Sequence, residues 1–128
     1  MKQPKWVLRE TVLLLHEQSL ADFGGSPGIR DEGLLESALD RPKNLLAYGK
    51  PGIFDMAASY GFGLAKNHPF IDGNKRTAFL VAALFIELNG FVFHADEADA
   101  TVQVLALAAG VIDEKDFSVW LKKNSKRA

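Results

Sequence analysis

Cysteine is absent from the 128 residues of this chain, so neither a disulfide framework nor a thiolate zinc site can form. A reducing compartment is permitted by that absence. Long apolar runs are missing too. Val12-Leu13-Leu14-Leu15 and its like are closely flanked by charge, well short of the roughly 18–20 residues that span a bilayer. Met1-Lys-Gln-Pro-Lys-Trp6 lacks the apolar core of a signal peptide. Charge of one sign is not in excess: the formal net charge of -1 argues against chain-wide attraction to nucleic acid or a membrane surface. The expectation is a cytoplasmic protein with no membrane contact and no direct nucleic-acid binding. Repeats, low-complexity tracts and linkers are also lacking, so residues 1–128 read as a single domain. Hydrophobic residues at 48% and charged residues at 24% are ordinary for a globular chain with a core.

What is present reads as helices. Leu8 to Phe23 carries apolar residues at Leu8, Val12, Leu15 and Leu20, and Gly24-Gly25 stops it. Gly24-Gly-Ser-Pro-Gly-Ile29 is a breaker-rich loop. Asp31 is a good N-cap for a helix over 32–40, which Pro42 ends, leaving 43–53 as an exposed loop. A third helix runs from Phe54 to Asn67 despite Gly61 and Gly63, which cost helix propensity but permit close packing. Asn74 to Asn89 is the most apolar segment, a buried central helix capped by Gly90. Phe91-Val92-Phe93 is either a strand or an extended connector. Asp96 or Asp99 caps a helix reaching Ala109, and Asp113 caps a last one through Lys123. The basic end, Lys122-Lys-Asn-Ser-Lys-Arg127, reads as a solvated tail. The fold class is all-α, one compact domain of about six helices.

The chemistry concentrates just before the apolar helix. Backbone N–H groups of Gly73 through Arg76 point out of its first turn, where donors lack partners and the dipole is positive. Gly73 allows a tight turn and close approach of a ligand. Lys75 and Arg76 are cations where helices usually prefer acids, an arrangement favourable only with a polyanion present. Phosphate is the natural ligand. Asp72 adds a hard carboxylate, of the kind that holds Mg²⁺ beside phosphate oxygens, although an Asp there also reads as a helix cap. His68 lies four residues before Asp72. An imidazole titrates near neutrality and is suited to take a proton from a hydroxyl. Base, metal ligand and anion cradle thus fall within nine residues, and phosphoryl-type transfer needs little beyond positioning and charge stabilisation. Phe70 reads as a core anchor and Pro69 as a turn residue.

The run His68-Pro69-Phe70-Ile71-Asp72-Gly73-Asn74 resembles the H-P-F-x-D/E-G-N signature of the Fic/Doc family, and the resemblance extends over about residues 8–122. Fic adenylyltransferases usually continue Gly-Arg-x-x-Arg. Here Lys75 replaces the glycine and Phe79 stands where the second arginine would be. Both departures, and the stretch from Phe23 to Leu39, look like the Doc (death-on-curing) branch, toxins of toxin–antitoxin pairs. The resemblance implies His68 as general base, Asp72 as ligand of Mg²⁺ on ATP, and Gly73, Asn74, Lys75 and Arg76 on the phosphates. Phe70 would lock the loop into the core. It further implies γ-phosphoryl transfer to a threonine of elongation factor Tu, which blocks translation. AMP transfer by the same site, or a catalytically inactive protein-binding module, are the alternatives. Some Fic proteins carry an inhibitory helix, Ser/Thr-x-x-x-Glu-Gly/Asn. No glutamate here has Ser or Thr four residues before it. The expected control is therefore a separately encoded antitoxin that inserts a helix.

Overall fold

The computed structural model describes residues 3–128, and among them are six helices and two short strands. They run α1 (Arg9–Phe23), α2 (Glu32–Tyr48), α3 (Ile53–Asn67), α4 (Asn74–Leu88), β1 (Phe91–Phe93), α5 (Glu97–Ala109), α6 (Glu114–Lys123) and β2 (Ser125–Arg127). The fold is all-α, with a small two-stranded ribbon attached. No helix among the described residues is long and apolar enough to cross a membrane.

α3 and α4 form the centre. α3 packs against α2, α4, α5 and α6, while α4 also touches α1, α5 and β1. Every residue of α4 from Thr77 to Ile86 is buried or half-buried, as its composition requires. The two glycines of α3 lie where neighbours come closest. A Cβ on Gly61 would stand 2.9 Å from the Phe117 ring of α6, and one on Gly63 would stand 3.1 Å from the Ala38 backbone of α2. Their cost in helix propensity is thus offset by close helix packing.

Three expectations change. α2 does not end at Pro42 but continues to Tyr48 with Pro42 buried inside it. The proline forfeits one backbone bond, and contacts on both sides of it compensate. Arg41 pairs with Glu114 at 2.8 Å and lies over the Phe62 ring, while Leu46 packs against the core. The loop expected over 43–53 shrinks accordingly. The basic end is not a solvated tail throughout. Ser125–Arg127 pairs antiparallel with Phe91–Phe93, placing Phe91 opposite Arg127, and this settles 91–93 as a strand. Lys126 and Arg127 stay exposed while their backbone joins the ladder, and the Arg127 guanidinium lies 5.4 Å from the Phe91 ring centroid. The cap of α4 is Asn89, with Gly90 (φ 97°) one residue beyond.

Asp31 and Asp113 cap α2 and α6 with their side chains, accepting from Leu34 N at 2.9 Å and Asp116 N at 2.7 Å. Asp96 is the N-cap of α5 without a side-chain bond, and the Asp99 carboxylate accepts Trp120 Nε1–H at 2.8 Å.

Candidate active site

Two loops, 24–31 and 68–73, meet in front of the first turn of α4, with α1 behind them. α3 ends at Asn67 with His68 as its C-cap, whose φ of 48° and ψ of 55° make it the one non-glycine residue with positive φ among the described residues. A side chain in that conformation costs roughly 1–2 kcal/mol. The imidazole is exposed. Pro69 turns the chain and Phe70 is buried in the core.

The side-chain amide of Asn74 closes this turn. Its Oδ1 accepts Phe70 N–H and its Nδ2 donates to Phe70 O, both at 2.9 Å. Only an amide offers donor and acceptor together in this way. Nδ2 also lies 3.5 Å from His68 Nδ1, too long to fix the imidazole tautomer. What Asn74 presents to a ligand is therefore its backbone N–H.

Asp72 does not cap α4. The N-cap is Gly73, in the left-handed region (φ 76°) and without a side-chain bond. Asp72 Oδ1 accepts Gly73 N–H at 2.9 Å, and Oδ2 accepts Ser26 N–H from the other loop at 3.2 Å. The carboxylate is exposed, and each oxygen keeps a second lone pair. One hard carboxylate beside helix-terminal amides is a donor set that suits Mg²⁺ shared with phosphate oxygens.

The first turn of α4 contains no acid. The amides of Asn74, Lys75 and Arg76 precede the first intrahelical donor, Thr77 N–H to Gly73 O at 3.1 Å. Lys75 and Arg76 line a groove of about 410 Å³ between the end of α1, α4 and α5. Lys75 is exposed. The Arg76 guanidinium lies 3.3 Å above the Phe23 ring centroid and 4.0 Å from Glu97, so it is held on the groove side of the turn. Phe79, Leu80, Val104 and Leu105 make the groove apolar.

Two residues of the surroundings escaped sequence reasoning. His16 of α1 is buried, donates from Nε2 to Asp72 O at 2.8 Å, and stacks on Phe70 with centroids 3.8 Å apart and planes 10° apart. Its signal lay in the spacing Val12, His16, Ser19, which is the buried stripe of α1. Arg30 donates from Nε to His68 O at 2.7 Å and from Nη2 to Asn67 O at 2.8 Å. Around it the loops join through a bridge between Ile29 and Phe70, with Arg30 N–H and Asp31 N–H both donating to Pro69 O and Ile71 N–H to Gly28 O.

The chain matches the Fic/DOC family over residues 6–86, the part that carries the signature loop and the start of α4, and it belongs to that family. Its relatives put it on the Doc branch. Over 96 residues it is 38% identical to the protein kinase doc of Escherichia phage P1, spanning 73% of this chain and 76% of that one. Over 77 residues it is 44% identical to the toxin Doc of Mycolicibacterium smegmatis, spanning 58% of each chain.

Proposed function

We propose that this protein is a Doc-type toxin that transfers the γ-phosphoryl group of Mg-ATP to a hydroxyl of a protein target, with elongation factor Tu as that target. The observation that carries this reading is the exposed His68 and Asp72, held by one loop against a helix start that bears free amides and two cations. A target hydroxyl approaches His68, and a ring nitrogen takes its proton as the oxygen bonds to the γ-phosphorus. The bond from that phosphorus to the bridging oxygen breaks, and ADP leaves with the electron pair. Amides of the first turn of α4, together with Lys75, balance charge on the transferring group. Asp72 would hold Mg²⁺, which would supply neutralisation of the polyphosphate charge.

Phosphoryl rather than AMP transfer is favoured by Phe79. Its ring packs 5.7 Å from Phe93 and lines the groove, at the position where Fic adenylyltransferases have their second arginine. The apolar groove with its charged mouth also suits an amphipathic helix, the mode in which a separately encoded antitoxin would bind. Incubation of elongation factor Tu and whole-cell extract with α- or γ-labelled ATP tests the proposal. Label from the γ position alone is expected. Label from the α position means AMP transfer, and no label from either overturns the enzymatic reading.

A further inference from the structure

We propose that Arg30 is a positioning residue for His68, setting the direction in which its imidazole faces the target hydroxyl. The inference rests on the reading of His68 as general base. The Arg30 guanidinium donates to Asn67 O at 2.8 Å and to His68 O at 2.7 Å. The first carbonyl belongs to the peptide that enters His68, the second to the peptide that leaves it. Holding both peptide planes fixes φ and ψ of His68, and this residue is the left-handed one.

The next peptide is held as well, since Arg30 N–H and Asp31 N–H both donate to Pro69 O, at 2.7 and 3.1 Å. One residue thus ties three successive carbonyls, from the last residue of α3 to the second of the signature loop, two by side chain and one by backbone. The last carbonyls of a helix lack intrahelical partners, and a cation there is favourable for stability alone. A point charge would satisfy that need. A planar fork reaching two consecutive carbonyls does more, because its donors have fixed relative directions that lysine cannot reproduce. Asn74 anchors the same loop further on, through Phe70. The stretch between Asn67 and Asn74 is therefore pinned at both ends, with the imidazole projecting from one of them.

The test compares Arg30→Lys and Arg30→Gln with the full-length wild type. Arg30→Lys keeps the charge at the end of α3 and removes the fork, so its thermal midpoint should stay close to wild type. Its kcat for γ-phosphoryl transfer should fall on the order of 10²-fold, the scale for a misplaced catalytic group. KM for ATP should not change, because the cradle at α4 is untouched. In NMR spectra the Cα and ring resonances of His68 should move in both variants while those of His94 stay. Unchanged kcat in Arg30→Lys would overturn the proposal, as would a lower kcat with His68 resonances unmoved. If wild type transfers nothing from ATP, the proposed function fails, and the His68 resonances alone decide whether Arg30 positions that side chain.

Discussion

His68 contributes an exposed ring to the surface and little to packing. His68→Ala should therefore lower phosphoryl transfer by on the order of 10²–10⁴ while leaving the thermal midpoint close to that of the wild type. Alanine keeps the Cβ and with it the left-handed strain, and no buried contact is lost. A fully active His68→Ala protein would end the general-base assignment. Asp72 differs, because its carboxylate also ties the two loops together. Asp72→Asn keeps one accepting oxygen for Gly73 N–H or Ser26 N–H, but not both. Calorimetric titration with ATP at several Mg²⁺ concentrations should show weaker binding and a flatter dependence on the metal. Unaltered metal dependence would make Asp72 purely a loop tie. Tyr60 offers a test at the other side of the core. Burial pushes its hydroxyl from 10.0 up to about 12, partly countered by the Val7 N–H that it accepts at 3.1 Å. The folded state holds this proton more tightly than the unfolded chain, so the contribution is complete below pH 10 and is lost as pH rises toward 12. Urea unfolding should register a loss of stability across that window, and Tyr60→Phe should lack this component.

Among the elements, the first turn of α4 is built against its own stability. Lys75 and Arg76 sit at the positive end of a helix dipole, each at a cost of a few tenths of a kcal/mol, up to about 1. Among the described residues, Lys75 has no compensating contact of the kind that Arg76 finds on Phe23 and Glu97. Lys75→Ala should thus weaken ATP binding and leave the thermal midpoint equal or higher. Arg76→Ala should weaken binding with a near-neutral effect on stability, since the cation–π contact it gives up is worth about 0.5–1 kcal/mol. Differential scanning fluorimetry beside nucleotide titration separates the two effects. A large loss of stability in Lys75→Ala would show that the residue is structural. α2 makes the opposite point about local rules. Pro42 is a sound stop signal for an isolated helix, yet six further residues stay helical because Arg41 and Leu46 are held by other elements.

At the scale of the whole molecule, the groove of about 410 Å³ joins the first turn of α4 to an apolar wall from α5. A partner helix lying there would stabilise the folded protein by mass action, about 2.7 kcal/mol at a hundredfold excess over Kd. Expression of the chain alone should slow growth of its native host, and co-expression of a small neighbouring open reading frame should restore it. Leu105 lines the groove and is half exposed, so Leu105→Arg should fold, remain toxic and resist that rescue. Harmless expression of the wild type at high level would remove the toxin reading. Rescue of Leu105→Arg as complete as that of wild type would place the partner elsewhere.

Composition and periodicity were enough for the all-α class, for α1, α3 and α4 to within a residue or so, and for Asp31 and Asp113 as caps, because these depend on contacts within a few residues. The segment from His68 to Arg76 stood out as a candidate site for the same reason: imidazole, carboxylate, turn glycine and cations are contiguous, so the grouping is visible along the chain before any fold is known. What the tertiary structure decided lies between segments far apart in sequence. His16 and Asp72 are 56 residues apart, and Arg30 and His68 are 38 apart. The basic end becomes a strand only because β1 lies beside it, and Arg76 turns to the groove only because Phe23 closes α1 there. A hydrogen bond or a stacked ring has no period and no spacing along the chain, so pairs of that kind become visible only when the packing of α1, α3 and α4 brings their carriers together.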